Sequence, residues 1–250
     1  MESTTQKPHL ELHNEFVGVL SSYKPSQSTL STLKNMPFVL LIGPTAAGRN
    51  TLINLLVKTG RYHYMVSDTT RAKRVNNGIM EQNGVEYWFK TEKEFLNGLK
   101  KGEYLEAAII HNQQVSGANI AELEFAAKQQ KIAINEVEVV GAEYYHRYKP
   151  DVLCIFLLPP NFKTWMERIH GRGDVDSGEL HRRLTSARHE IAHALDNDFY
   201  HFVVNHEIHE AAIAVDELAN SRQPNDKEQA KGRKHAERLL EEVKAYLNAN

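Results

Sequence analysis

The hydrophobic positions of this chain form short continuous runs that alternate with amphipathic stretches. The runs at 38–41, 132–140 and 152–158 predict buried strands. Between such runs, apolar residues recur at helical spacing, as in Leu52, Ile53, Leu55, Leu56 and Val57. Strands that alternate with helices in this way predict an α/β protein, in which helices flank a parallel β-sheet core.

The remaining segments continue the same alternation. Further strands are predicted at 85–90, 104–110 and 199–205, and a short strand with a basic turn is predicted at 67–74. Further helices are predicted at 91–102, 119–130, 162–169, 179–196 and 207–219. Pro159-Pro160 ends one core strand, and the stretch 171–179 is predicted to be a loop.

The two ends of the chain differ in composition from the stretch between them. Residues 1–35 are polar apart from one amphipathic patch, and we predict a flexible leader that carries one short helix. Residues 221–234 are predicted to be a solvated linker before an amphipathic helix at 235–247. The main domain is therefore predicted to span 36–220, with a linker and C-terminal helix in 221–250. A protein partner could bind through either extension.

Composition limits the class of function. The 250 residues carry a formal net charge of −2, which gives no electrostatic reason to expect binding to nucleic acid or to a membrane. No apolar run approaches the roughly 20 residues that span a bilayer, and residues 1–8 are too polar for a signal peptide. The one cysteine, Cys154, lies in an apolar run, so that the fold needs no intramolecular disulfide. We expect a soluble cytoplasmic protein.

The stretch 38–58 combines a strand, a glycine-containing loop and a helix. Gly43 and Gly48 stand five residues apart, as in the phosphate-binding P-loop G-x-x-x-x-G-K-[ST]. In such a loop, backbone N–H groups and the N-terminus of the helix attract an anion. Arg49 and Asn50 occupy the positions of Lys and of Ser or Thr. The sequence thus predicts the scaffold of a phosphate site with two of its side chains changed.

Further motifs follow the P-loop in order. The chain reads TTRAKR at 69–74, EYWF at 86–89, GEYLE at 102–106, FLLPP at 156–160 and R-x-x-G-R-G at 168–173. This ordered set resembles the guanylate kinase family over residues 37–220. The resemblance implies a P-loop kinase fold with a GMP-binding insertion at about 67–120 and a lid at about 168–190. It also implies that ATP with Mg²⁺ and GMP are the ligands.

The resemblance implies roles for individual residues. GMP would be held by Ser67, Arg71, Arg74, Tyr87, Glu106, Glu136 and Glu138, and Glu106 would read the N–H edge of guanine. The ATP phosphates would lie against Gly43, Ala46, Ala47, Gly48, Arg49, Asn50 and Thr51, and Asn205 would line the adenine pocket. Arg49 and the lid arginines Arg172 and Arg183 would be catalytic, and the metal would contact Asn50 and Glu138.

The chain also departs from the family pattern. GPSGAGKST is replaced by GPTAAGRNT, which changes Ala46, Arg49 and Asn50. Glu136 and Glu138 replace two aspartates, and the segment 114–117 lacks the family's phosphate-binding tyrosine. These changes leave three hypotheses. The protein is an ATP:GMP phosphotransferase, a catalytically inactive nucleotide-binding or interaction module of the same fold, or a kinase for another small acceptor.

One further motif points to different chemistry. HEIAH at 189–193 matches H-E-x-x-H, with His189 and His193 one helical turn apart. Zinc requires a third protein ligand, and Glu207 and Glu210 are separated from the motif by the predicted strand 199–205. We therefore interpret the segment as part of an ordinary helix that follows the lid, and not as a metalloprotease site.

Overall fold

The computed structural model describes residues 10–76, 78–171, 173, 175–221 and 224–249. The helices are α1 (His13–Leu20), α2 (Gln27–Asn35), α3 (Arg49–Lys58), α4 (Glu92–Lys101), α5 (Ile120–Lys128), α6 (Val139–Tyr148), α7 (Phe162–His170), α8 (Ser177–Leu195), α9 (Ile208–Ser221) and α10 (Asp226–Ala249). The strands are β1 (Phe38–Ile42), β2 (Tyr62–Tyr64), β3 (Asp68–Thr69), β4 (Val75–Asn76), β5 (Ile79–Met80), β6 (Trp88–Phe89), β7 (Tyr104–Ile110), β8 (Gln114–Asn119), β9 (Ile132–Glu136), β10 (Leu153–Leu158) and β11 (Tyr200–Val204).

These elements form two compact units. The first, which we name the insert unit, consists of the chain up to Met36 together with Met65–Gln130. The second, which we name the sheet unit, consists of Pro37–Tyr64 and the chain from Lys131 onward.

The sheet unit is built on a parallel sheet, as predicted. Its strand order is β11-β10-β1-β9-β2, and each neighbouring pair is parallel. Strands β1 and β10 are apolar throughout, as expected where helices cover both faces of a parallel sheet. The strand residues Val39, Leu41 and Leu157 pack in one cluster with Leu52 and Leu56 of α3. This packing fixes the carboxyl end of β1, where the P-loop begins.

The insert unit contains a smaller mixed sheet in the order β6-β3-β8-β7. Strand β8 is antiparallel to both β3 and β7, whereas β3 and β6 are parallel. Helix α4 confirms its prediction from local signals. Thr91 and Glu94 form a reciprocal capping box at its start, and Gly102 closes it in a left-handed conformation.

The strand predicted at 132–140 is wrong beyond Glu136. Strand β9 ends there, and helix α6 begins at Val139 after Glu138 at the N-cap. A short apolar run does not distinguish a strand from the first turn of a helix, and here it continues through both. Strands β2 and β8 were missed because they are short or polar. The strand predicted at 85–90 is reduced to Trp88–Phe89.

The described parts of both predicted extensions contain more helix than their composition suggests. The Ser/Thr-rich part of the predicted flexible leader forms α2, in which Ser26 caps the helix and Leu33 is buried. The predicted linker at 221–234 is also wrong over most of its length, because α10 begins at Asp226. Asn225 accepts a hydrogen bond from the Lys227 N–H at this start. Tertiary contacts outweigh local polarity at both ends.

Two predictions from composition can be compared with the structure. Cys154 is buried on β10, as predicted, and burial raises its thiol pKa to about 12. Within the described parts of the chain, every helix is too short or too polar to cross a membrane.

Candidate active site

The P-loop lies between β1 and α3 in the sheet unit. Gly43 has φ +139°, and a side chain there would collide with the backbone carbonyl of Leu157. Gly48 has φ +107° and forms the N-cap of α3. Both positions therefore require glycine. Ala46 departs from this rule, because it holds φ +62° although it carries a Cβ.

Two side chains from outside the loop hold it in place. Trp165 of α7 donates its indole N–H to the Thr45 carbonyl over 2.8 Å. Asn205, which follows β11, donates its amide N–H to the Ala47 carbonyl over 2.7 Å. Both bonds use carbonyl groups of the loop, so neither of them occupies a backbone N–H group that could bind an anion at the start of α3.

Arg49 is the first residue of α3, and it faces carboxylates from other elements. Its Nε lies 3.9 Å from Oε2 of Glu136 at the end of β9. Burial raises the pKa of Glu190 on α8, while Arg49 opposes that shift and Glu138 adds to it. Glu136 and Glu190 therefore both interact electrostatically with the arginine that stands in place of the P-loop lysine. Of these, Glu190 was considered in the sequence only as part of the HEIAH motif.

The predicted metal ligands are both accessible. Asn50 is exposed in the first turn of α3, and Glu138 is exposed at the N-cap of α6. In the described residues, no group of three or more His, Cys, Asp or Glu side chains converges as a metal site would require. Mg²⁺ commonly takes one or two protein ligands and completes its shell with substrate phosphates and water. Oxygen donors of this kind fit a metal that arrives with a nucleotide.

A cavity of about 430 Å³ opens beside the P-loop in the sheet unit. Its lining comprises Ala46, Gly48, Thr51, Arg168, Gly171, Asn205, His206, Glu207 and Ile208. Asn205 is 3% exposed, and its Oδ1 is buried with no hydrogen-bond donor among the described residues. A buried acceptor of this kind fits a ligand that brings an N–H group.

Arg168 is a cavity residue that the sequence analysis did not single out. Arg168 lies on α7, and its guanidinium donates a hydrogen bond of 3.4 Å to the Asn205 carbonyl. The signal was available, because Arg168 is the first arginine of the R-x-x-G-R-G motif.

The predicted lid arginines have different outcomes. Arg172 lies outside the described residues. Arg183 donates from Nε to Glu179 over 2.7 Å, and Arg182 binds the same carboxylate over 2.8 Å. These two hydrogen bonds lower the pKa of Glu179. Arg182 and Arg183 are therefore both paired with a carboxylate about one turn earlier on α8.

In the insert unit, Arg71 is clamped by a carboxylate. Its two terminal nitrogens donate to the two oxygens of Glu81 over 2.5 and 2.8 Å. The guanidinium also lies 4.8 Å from the ring centroid of Tyr87. Such a planar fork is matched to carboxylate and phosphate oxygens. The structure thus brings together Arg71 and Tyr87, two of the residues expected to bind GMP.

Glu81 is the organising residue that the sequence analysis missed. It is 5% exposed, and besides Arg71 it accepts hydrogen bonds from the Arg74 backbone N–H and from Asn76. The Arg71 hydrogen bond is the main cause that lowers its pKa to about 2. The hairpin of β4 and β5 brings it back to Arg71 and Arg74. A single carboxylate between two strand signals gave no indication of this role.

Glu106 lies on β7 of the same unit. It is half-buried, and the described residues offer its carboxylate neither a hydrogen bond nor an ion pair. Desolvation raises its pKa accordingly. Ser67 immediately precedes β3, and its carbonyl accepts from the Trp88 N–H over 2.9 Å. The arginine cluster and an unpaired carboxylate are therefore features of one unit.

The segment that lacks the expected tyrosine forms β8. Ser116 donates its hydroxyl to Thr69 over 2.9 Å, and Gln114 donates to Ser116 over 3.3 Å. A short polar network thus occupies the segment.

Comparison with known proteins decides the family. The family model for guanylate kinase matches residues 35–222, well over half of the chain. The chain belongs to the guanylate kinase family. The guanylate kinase of Corynebacterium diphtheriae is 34% identical over 182 residues, which cover 72% of this chain and 92% of that protein. The guanylate kinase of Trichormus variabilis is 35% identical over 182 residues, covering 72% and 87%.

A solved structure gives the same answer. The crystal structure of guanylate kinase from Anaplasma phagocytophilum matches with a TM-score of 0.52 and 26% identity. The match covers 75% of this chain and 86% of that one. Helix α1, most of α2 and all of α10 lie outside the stretch that the guanylate kinase model matches.

Proposed function

We propose that this protein transfers the γ-phosphoryl group of ATP to GMP, giving ADP and GDP. The observation that carries the proposal is the set of candidate GMP-binding side chains in the insert unit. It contains a pre-clamped arginine, Arg71, and an unpaired carboxylate, Glu106, within a chain of the guanylate kinase family. The relatives described above share one name, which favours a kinase over an inactive module of the same fold.

On this proposal the insert unit binds GMP. Arg71 and Arg74 hold its phosphate, with Ser67 and Tyr87 beside them. Glu106 accepts hydrogen bonds from the N1–H and 2-amino groups of guanine. Adenine presents an acceptor at N1, which would leave this carboxylate unpaired, and such a mismatch discriminates strongly.

The sheet unit binds ATP in the same proposal. The backbone from Gly43 to Thr51 cradles the phosphates, and Asn205 offers its unpaired Oδ1 to the 6-amino group of adenine. Arg49 takes the role of the P-loop lysine. Glu136 forms an ion pair with Arg49, a role that replaces its predicted contact with GMP. Arg183 and Arg172 neutralise charge from the lid.

The chemistry requires little covalent work from the protein. An oxygen of the GMP phosphate attacks the γ-phosphorus of ATP, and the bond from that phosphorus to the bridging oxygen of ADP breaks. Mg²⁺, held by Asn50 and Glu138 with the phosphates, would neutralise charge on them. The arginines bind and orient the two nucleotides and stabilise the charge that spreads over the transferred group.

The test is a coupled assay of the purified chain with ATP and Mg²⁺, using GMP, AMP and UMP in parallel. Of the three monophosphates, we expect only GMP to give ADP formation from ATP. GMP binding without turnover would support the inactive module, and turnover with another monophosphate would reassign the acceptor. Cytoplasmic location, expected from composition, stays a prediction that fractionation of the source cells would test.

A further inference from the structure

Strand β7 carries Glu106 and lies at the edge of the insert unit's sheet. An edge strand presents backbone groups that have no neighbouring strand to pair with. At the start of β7, the side chain of Tyr23 pairs with these backbone groups in place of a neighbouring strand. The hydroxyl of Tyr23 donates to the Tyr104 carbonyl over 2.6 Å and accepts from the Tyr104 N–H over 2.9 Å.

The pairing of β7 with β8 shifts register at the same point. Tyr104 pairs with Asn119, but Glu106 pairs with Ala118, so that the irregularity falls between Tyr104 and Glu106. An irregularity of this kind changes the direction in which the following side chain points. The direction of the Glu106 carboxylate therefore depends on where the backbone of Tyr104 is held.

Tyr23 itself is fixed by the N-terminal segment. Phe16 meets Phe95 edge to face with ring centroids 6.2 Å apart, and Phe95 stacks on the Tyr104 ring at 4.2 Å. After Tyr23, the Ser26 N–H and the Thr29 hydroxyl both donate to the Gly102 carbonyl, over 3.0 and 2.8 Å. The segment thus grips both the end of α4 and the start of β7.

Tyr104 also connects the N-terminal segment to strand β3 of the insert unit's sheet. The Tyr104 hydroxyl donates a hydrogen bond over 2.7 Å to Asp68 on β3, and Asp68 is the residue that follows Ser67. Burial raises the pKa of Tyr23 to about 12, so that its hydroxyl keeps the proton that it donates at neutral pH.

We propose that Tyr23 is a positioning residue for base recognition, which holds the irregular start of β7 so that Glu106 faces the guanine edge. The inference rests on the proposed function, because it assumes that Glu106 reads guanine. It gives the N-terminal segment, which lies before the matched family stretch, a role in acceptor specificity.

The experiment measures binding of GMP and AMP by calorimetry to the full chain and to Tyr23→Phe. We expect Tyr23→Phe to weaken GMP about fivefold, within the range of coupling for residues in one hydrogen-bond network. AMP affinity should change less than about twofold. In a Glu106→Gln background, Tyr23→Phe should add little further loss of GMP affinity, because the group that it positions has been altered.

Tyr62→Phe is the matched control. It removes a hydroxyl that donates to Asp216 over 2.8 Å in the sheet unit, and it should leave GMP affinity unchanged. Equal losses for GMP and AMP in Tyr23→Phe, or an unchanged GMP affinity, would overturn the inference and leave the proposed function standing. A full loss from Tyr23→Phe in the Glu106→Gln background would overturn it as well. Failure of the wild-type chain to bind GMP would overturn the proposed function and this inference together.

Discussion

The two units present their cations in different ways. In the insert unit, Arg71 is 11% exposed and bound through two nitrogens to Glu81, which is 5% exposed. In the sheet unit, Arg49 is 24% exposed, and Glu136, 3.9 Å away, is 30% exposed. The first pair is fixed before a ligand binds, whereas the second is longer and more solvated. A cation held loosely in this way remains able to follow charge that moves during a reaction.

Most of the departures from the family pattern lie in the sheet unit, but the segment 114–117, which lacks the family's tyrosine, belongs to the insert unit. The residues that we propose to bind GMP, among them Arg71, Arg74 and Glu106, match the family pattern. The altered positions Ala46, Arg49 and Asn50 lie in the P-loop. In the insert unit, Glu81 thus holds Arg71 in one geometry. In the sheet unit a longer guanidinium stands in place of a compact ammonium, and the Glu136 carboxylate lies 3.9 Å from it.

The largest expected effect is on turnover, from the sheet unit. Arg49→Ala should lower kcat by about 10²–10³-fold, because the charge that Arg49 stabilises grows in the transition state. GMP affinity should stay within about twofold. The measurement is steady-state kinetics with varied ATP, together with calorimetry for GMP. Lys58→Ala, at the other end of α3, serves as the control and should retain wild-type kcat.

A restored P-loop sharpens the same test. Arg49→Lys combined with Asn50→Ser should keep activity at or above the wild-type level, because the backbone cradle from Gly43 to Gly48 is unchanged. A wild-type kcat that survives Arg49→Ala would contradict the assignment of Arg49 to catalysis.

The next effect is on binding, from the insert unit. Arg71→Ala should weaken GMP about tenfold or more, because a charge-assisted hydrogen bond contributes roughly 1.5–3 kcal/mol. Calorimetry with GMP gives the affinity, and circular dichroism checks the fold, since Glu81 loses its main partner. Lys73→Ala removes a nearby cation and should change GMP affinity less than about twofold. Similar losses in the two variants would show that only net charge matters.

Base recognition gives a smaller effect that depends on pH. Desolvation raises the pKa of Glu106, so its carboxylate gains a proton at a higher pH than an ordinary glutamate does. GMP affinity should therefore fall as pH is lowered through this raised pKa, because the protonated group accepts less well. The Glu106→Gln variant should bind GMP more weakly at neutral pH, and its GMP affinity should lack the part of the pH dependence that comes from Glu106. It retains the titration of the GMP phosphate, whose second pKa is about 6, and so isolates the carboxyl group. Identical pH profiles for the two proteins would remove Glu106 from base recognition.

The smallest effect concerns stability of the sheet unit. Ala46 has a left-handed conformation, which costs a residue with a Cβ roughly 1–2 kcal/mol. Ala46→Gly should therefore raise the free energy of unfolding by about 1 kcal/mol, measured by chemical denaturation. Ala47→Gly is the matched control, because Ala47 is buried and its φ is not positive, and it should destabilise. A loss of stability in Ala46→Gly would show that the loop is not strained at this residue.

The sequence by itself determined the features that short-range physics encodes. The apolar runs identified β1 and β10, and Thr91 and Gly102 marked both ends of α4 because capping and left-handed glycine are local properties. The positions of Gly43 and Gly48 predicted the P-loop for the same reason. The order of the motifs was sufficient to identify the family, and the roles that the family implies for Arg71, Tyr87 and Glu106 stay predictions.

Only the tertiary structure decided which charges meet. Glu81 reaches Arg71 through a hairpin, and Tyr23 reaches Tyr104 across 81 positions of the chain. Arg49 meets Glu136 because parallel pairing of β1 with β9 brings their carboxyl ends to one edge of the sheet. Neither hydrophobic period nor propensity constrains such contacts, since they depend on how separate elements pack. The same reason explains why α2 and the start of α10 are helical in segments whose polar composition predicted loops.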